Sequence, residues 1–353
     1  MAGKKKTQKA APVPELKTPT QIKWVVMDLG NGFSKMLCYG QQEPVRWRSV
    51  QGHIGRKTRM NQLPQDWTIK WRGTYYVFGD RAYTECPDTM EDFPTTERYT
   101  SEWYKRMFAF ALHKAYGLHI SQGQDDPPYA PEIVASIPAK EYANAARLDA
   151  IKENLCGLYQ IETVLGTTTE IEVSDANLTL LPEGAGSFLY MAAQGNNRLE
   201  KGLWAVLDLG YLTGDIVFFK DGVYVADSSD SDDKLGMITV SQRVVEVIRG
   251  QGGPTLTAAE IDPVVNQPHI NVSGTPYSIS DTYHEAMSEL GRRAAGFLQR
   301  KCTGKNIAGV LLTGGNVANQ ANFIASPKLP QPVVCTDGEN GNIRGASIMV
   351  QAG

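Results

Sequence analysis

Two stretches of the chain share one pattern of apolar and polar positions. WVVMDLGNGFSKMLCY, from Trp24, and WAVLDLGYLTGDIVFF, from Trp204, each run from an apolar segment into an Asp and a Gly, then through small and polar residues into a second apolar segment. Short unbroken apolar runs bounded by glycines predict strands buried on both faces. VVM with MLCY, and AVL with IVFF, are therefore predicted as two β-hairpins with Gly-rich tips. Aligned without gaps, they share Trp24/Trp204, Val26/Val206, Asp28/Asp208, Leu29/Leu209 and Gly30/Gly210. A third run, GVLLTGGN from Gly309, predicts another strand, ending at Gly314 and Gly315. Val240, Val244, Val247 and Ile248 recur at helical spacing, and so do Tyr283, Met287, Leu290, Ala294, Phe297 and Leu298, the second set as one core-facing stripe. Between them DSSDSDDK, Asp227 to Lys234, lacks the ligand spacing and closing Glu of a calcium loop. It is predicted as a solvated capping loop before a helix near Gly236.

At 353 residues the chain exceeds what one core usually serves, which predicts two domains. With 42% hydrophobic and 21% charged residues, it has the composition of a soluble globular protein. No apolar run approaches the roughly 20 residues of a membrane-spanning helix. The five cysteines, Cys38, Cys86, Cys156, Cys302 and Cys335, are scattered and never spaced as metal ligands, so they read as reduced thiols of a cytoplasmic protein. Residues 1–21 carry five lysines and three prolines without apolar periodicity, the composition of a disordered basic tail. Formal net charge is only -3, so direct DNA binding is not expected.

The hairpins carry the candidate chemistry. Glycines at a hairpin tip let backbone N–H groups point outward together and let phosphate oxygens approach without a clash. Asp28 and Asp208, at the ends of buried strands, are placed to hold a hydrated magnesium ion through water. Two such tips facing each other would clamp a polyphosphate. Lys35 in the first copy is matched by Asp215 in the second: a cation suits phosphate, an acid suits metal or water. The bare glycines of the third strand would let a base or ribose lie against the backbone, although an ordinary strand-to-helix turn uses the same letters. No G-x-x-x-x-G-K-[ST] loop and no full dinucleotide fingerprint occurs.

In order, DLGNGFSK, LPEGAG, DLGYLTGD, LLTGGN and NIRGAS resemble the five nucleotide-site motifs of the actin, heat-shock chaperone and sugar-kinase superfamily. Within it, the DxGNG opening and the PE of LPEGAG resemble the plasmid-segregating bacterial actins of the ParM/StbA type, as do WRGTYYVFGDRAY and TERYTSEWYKRMFAFAL. The resemblance implies an α/β, two-lobed actin-like fold of duplicated ribonuclease-H-like domains with a nucleotide cleft between them. It divides the chain into lobe I, residues 22–186 plus 342–353, and lobe II, residues 187–341. Residues 46–83 become a small outer subdomain of lobe I. It further implies that Gly30, Asn31, Gly32, Phe33, Ser34 and Lys35 wrap the β- and γ-phosphates, with Gly210, Tyr211, Leu212, Thr213 and Gly214 opposite. Tyr211 and Leu212 depart from the small residues usual at that tip. Asp28 and Asp208 would stand near the metal, Asp208 also near the attacking water. Glu183 matches the catalytic glutamate, on the helix joining the halves; a carboxylate there orients water for attack on the γ-phosphorus. Its residue-level alternative is an acid complementing a helix dipole. Gly314, Gly315 and Asn316 would meet the nucleoside. Arg243 and Glu246 sit where relatives contact ribose and base, although surface charge on an amphipathic helix explains them too. NIRGAS resembles the second connecting helix of the hinge.

The function implied is ATP- or GTP-driven self-polymerisation with magnesium, hydrolysis after assembly, and movement of plasmid DNA through a ParR-like adaptor on a centromere-like repeat. A sugar or acetate kinase of the same superfamily and a cell-shape or division scaffold are the alternatives. A kinase needs an acceptor pocket and a catalytic Asp, and a membrane scaffold a terminal amphipathic helix. The sequence shows neither.

Overall fold

The computed structural model describes residues 23–55, 63–91, 97–117, 129–196, 198–315, 317–324 and 328–352. The basic tail lies outside the described residues. The two repeated stretches are hairpins as expected: Trp24–Leu29 pairs antiparallel with Phe33–Cys38, and Leu203–Leu209 with Gly214–Lys220. Each sits at the centre of a five-stranded sheet of the same topology. In the first sheet the order is Leu178–Pro182, Glu132–Ile137, Trp24–Leu29, Phe33–Cys38, Val45–Arg48. In the second it is Val333–Val334, Ile307–Thr313, Leu203–Leu209, Gly214–Lys220, Val223–Asp232. Both first strands also pair in parallel, with Glu132–Ile137 and Ile307–Thr313 respectively.

The apolar runs are unbroken because both faces of each sheet are covered. On one face of the first sheet Val25, Met27 and Leu29 pack with Met107, Phe108 and Ala111 of the Glu102–Gly117 helix. On the other, Trp24 and Val26 pack with Ile343, Ala346 and Val350 of the Gly341–Ala352 helix. The second sheet repeats this: Ala205, Leu207 and Leu209 meet Val240 and Val244 of Ile238–Gly250 and Leu290 and Ala294 of Ser280–Cys302. Trp204 and Val206 meet Phe188 and Met191 of Ala185–Ala193. The helical stripes anticipated on those helices are buried, Val247 excepted.

The Ala185–Ala193 and Gly341–Ala352 helices cross at backbone contact. A Cβ at Gly186 would stand 2.0 Å from the Asn342 carbonyl oxygen, and one at Gly345 only 1.6 Å from the Gly186 carbonyl oxygen. The small residues of GAG and RGAS are what let the two sheets approach.

Two features depart from the sequence pattern. A third, six-stranded sheet takes Gln51–His53, Thr68–Trp71 and Thr74–Phe78 from the 46–83 stretch, but adds Met90–Glu91, Gly157–Thr163 and Thr168–Val173. And Asp227–Asp232 is not a loop: it continues the strand Val223–Asp232 on the second sheet. Polar letters tolerate that edge because they are wired in, Asp230 to Lys301 and Ser231 to the buried Asp215, each at 2.5 Å. Among the described residues no helix is long and apolar enough to cross a membrane.

Candidate functional site

Both hairpin tips and the end of Ile307–Thr313 open on one cleft of about 430 Å³ between the two sheets. The first tip is held from behind. Arg98 donates through Nη2 to the carbonyls of Leu29 and Gly30, each at 2.9 Å, and Ser49 Oγ donates to the Gly30 carbonyl at 2.5 Å. Those carbonyl oxygens are thus engaged by the protein's own donors rather than left to repel a phosphate. Strand alternation separates the remaining candidates. Phe33 and Lys35 line the cleft, whereas Ser34 is fully buried beneath the tip, its Oγ 2.8 Å from that of Ser49. Lys35 stands in register with Asp28, Nζ to Oδ2 3.5 Å, and donates across the cleft to the Glu339 carbonyl at 2.5 Å.

The second tip rests on the start of the Ile238–Gly250 helix. The amides of Met237 and Ile238 donate to the carbonyls of Gly210 and Tyr211, at 3.2 and 2.8 Å. Gly236 makes this approach possible, since a Cβ there would lie 2.2 Å from the Leu212 carbonyl carbon. Gly210, Tyr211 and Thr213 line the cleft; Leu212 and Gly214 do not. The bulky Tyr211 is accommodated by the opposite tip: a Cβ on Gly32 would meet its ring at 2.7 Å, so the two tips touch. Gly314, at φ +108°, lies against the Leu209 backbone where a Cβ would be 2.2 Å from an oxygen, and both Gly314 and Gly315 line the cleft. Asn316 lies outside the described residues. Arg243 and Glu246 pair with each other at 3.2 Å on an exposed face of their helix and do not line the cleft.

Acidic groups converge between the tips. Glu183 is in the turn between Leu178–Pro182 and Ala185–Ala193, not on a helix as expected from the motif, because Gly184 adopts φ +89° and the helix begins one residue later. Its amide donates to the Ile137 carbonyl at 2.8 Å. Burial, then the neighbouring Asp215, Asp28 and Asp208, raise the Glu183 carboxyl well above the usual carboxylate range, against the pull of Arg98. Asp208 is pushed up to about 7 by burial and Asp215, while Asn342 Nδ2 donates to its Oδ2 at 2.6 Å. The same Asn342 accepts through Oδ1 from the Gly184 amide at 2.9 Å, tying the second hairpin to the Glu183 turn. Asp215 is not a cleft group. It accepts from the Ala139 amide and Thr213 Oγ1, both at 2.9 Å, and from Ser231 Oγ, and it ties the second tip to the helix Ala139–Tyr142 that follows the Glu132–Ile137 strand.

Among the described residues no three His, Cys, Asp or Glu side chains gather as direct metal ligands. Asp28 and Asp208 both face the cleft, and a carboxyl held as high as Asp208 marks a place short of positive charge. The pair suits a hydrated cation bound through water.

The sequence reading missed Arg46, Arg48, Asp262, Glu339 and Asn342 among the cleft residues. Asn342 lies inside a recognised motif and was legible in principle. The others come from the Val45–Arg48 strand, the short 3-10 helix Asp262–Val264 and the turn at Glu339, none of which carries a motif.

Residues 27–186 match the family described as the N terminal domain of actin like proteins. No curated protein matches the sequence. Among solved structures the chain is similar to a 15-stranded ParM filament from Clostridium botulinum, at TM-score 0.74 and 18% identity over 94% of this chain and 99% of that one. It is similar to Ta0583, an archaeal actin homolog, in complex with ADP, at TM-score 0.73 and 16% identity over 94% and 99%. Bacillus thuringiensis ParM with ATP follows at TM-score 0.66 and 15% identity over 94% and 100%. The chain has the actin-like fold, and residues 27–186 are similar to the actin-like N-terminal domain. The actin-like fold and the likeness to ParM structures are what the resemblance of the five motifs implied.

Proposed function

We propose that this chain is a nucleotide-driven, self-polymerising actin-like protein that binds ATP or GTP between its two hairpins and hydrolyses it after assembly. The carrying observation is the pair of glycine tips meeting across one cleft, with the half-buried Glu183 lining it between them. A polyphosphate would lie between Gly30–Phe33 and Gly210–Thr213, with Lys35 as its cation and the nucleoside toward Gly314 and Gly315. A hydrated magnesium ion held through water by Asp28 and Asp208 would supply charge neutralisation. Glu183 is the group to orient the attacking water and accept its proton at a carboxylate oxygen. Burial and the neighbouring acids hold its carboxyl above the usual range, and added positive charge in the cleft would favour the carboxylate. The crossing helices at Gly186 and Gly345 serve as the hinge between lobe I and lobe II, divided as the motifs imply. Likeness to a ParM filament supports assembly into filaments; in this reading the filaments move plasmid DNA in the cytoplasm through a ParR-like adaptor, without direct DNA contact.

The test is light scattering and pelleting on adding ATP or GTP with magnesium, with phosphate release followed in parallel. Nucleotide-dependent polymer is expected from the unaltered chain. Glu183→Gln is expected to polymerise yet release phosphate at least 100-fold more slowly, as loss of a general base implies at roughly 10²–10⁴-fold. A chain that stays unassembled with either nucleotide over a wide concentration range would sink the filament reading. Equal turnover in the variant would remove Glu183 from the mechanism.

A further inference from the structure

The first sheet presents three cations side by side on its cleft face. Strand register pairs Lys35 with Arg46 and Phe33 with Arg48, which puts all four side chains on one face. The Phe33 ring is the platform: the Arg46 guanidinium carbon lies 3.6 Å from its centroid and that of Arg48 lies 4.9 Å away. A like-charged cross-strand pair such as Lys35 and Arg46 costs stability unless anions compensate. Here the compensation comes from the opposite wall of the cleft. Arg46 Nη1 meets Glu339 Oε1 at 2.5 Å, and Arg48 Nη1 meets Asp262 Oδ2 at 3.9 Å. Arg48 also holds Asp80 on its own side at 3.1 Å. The two cross-cleft pairs differ from the rest of the site. One is half-exposed and the other long, whereas the Asp28, Asp208 and Asp215 contacts are buried.

We propose that Arg46 and Arg48 are polyphosphate ligands that trade Glu339 and Asp262 for the phosphate oxygens of the bound nucleotide. The proposal rests on the reading of the cleft as a nucleoside triphosphate site. A guanidinium held over an aromatic ring needs less ordering to offer its N–H fork, and it matches phosphate geometry better than an ammonium does. Lys35 alone, already between Asp28 and the Glu339 carbonyl, leaves a triphosphate undercompensated among the cleft's acids. The exchange also removes two ion pairs that bridge the walls, so the phosphate itself becomes the bridge.

Titrating the full chain with fluorescent ATP, GTP, ADP and GDP in the presence of magnesium tests this. Arg46→Gln is expected to weaken triphosphate binding roughly tenfold or more, and diphosphate binding less. Glu339→Gln, which keeps the backbone carbonyl used by Lys35, is expected to tighten triphosphate binding severalfold because it removes the competitor. A merely structural Glu339 would give the opposite sign. In the double variant the gain from Glu339→Gln should disappear, since its beneficiary is gone. Binding by the unaltered chain that neither substitution alters, or weakening by Glu339→Gln, overturns the proposal and leaves the nucleotide site standing. No binding of any of the four nucleotides by the unaltered chain would take down the nucleotide reading and this inference together.

Discussion

The two hairpins have one strand pattern and one topology, yet they spend the same register position on opposite tasks. In the first, the residue across from Asp28 is Lys35, which faces the cleft and reaches the far wall. In the second, the residue across from Asp208 is Asp215, buried and engaged by Ala139, Thr213 and Ser231. The first hairpin therefore keeps a cation facing the site, held between Asp28 and the Glu339 carbonyl. The second uses its acid to tie its own tip to the start of the Ala139–Tyr142 helix. Duplicated geometry leaves the chemistry free to diverge, because a hairpin tip needs only its glycines while the side chain behind it is set by what packs there.

Making the second hairpin like the first should be the most damaging change. Asp215→Lys sets an ammonium against an amide and two hydroxyls in a buried site, and a loss of about 4 kcal/mol or more is expected in urea unfolding. Stability close to that of the unaltered chain would mean that Asp215 is no brace. Next in size is a pH effect at Asp208. Its folded pKa of about 7 lies above the ordinary Asp value of about 3.9, so the folded state holds the extra proton. Stability from this group is fully present below the ordinary value and is lost as pH rises through 7. Between pH 5 and 8 the unaltered chain should lose on the order of 2 kcal/mol that Asp208→Asn retains, read as the pH dependence of the urea midpoint. Parallel curves for the two proteins would contradict the raised pKa.

Lys35→Ala tests the first hairpin alone. It should fold normally and weaken nucleotide binding roughly tenfold, about 1.4 kcal/mol, in a fluorescence titration. If affinity holds, the cation of that hairpin is not spent on phosphate. Smallest of all is Arg243→Ala, which removes an exposed pair and should change stability by less than about 0.5 kcal/mol and nucleotide affinity not at all. A large affinity loss there would restore the nucleoside role expected from the motif and extend the site beyond the cleft lining.

Alternation and apolar runs made the hairpins, the third strand and the two buried helices readable, because each is a local pattern repeated over several residues. Pattern also explains why Ser34 failed as a cleft residue: the strand's own alternation turns it inward between Phe33 and Lys35. The edge strand through Asp227–Asp232 was misread for the converse reason. Its polar letters are satisfied by Lys301 and by Asp215, whose positions no local window contains.

What the sequence determined by itself is the repeated strand-turn-strand unit, its glycines and the acids at the strand ends, since these follow from periodicity and backbone sterics. The tertiary structure alone decided which charges meet. Arg46 with Glu339, Arg48 with Asp262, and Asn342 between Asp208 and Gly184 join residues that are hundreds of positions apart or lie outside any motif. Charge pairing depends on distance in space and on exclusion of water, and both are set only when the two sheets close on the crossing helices.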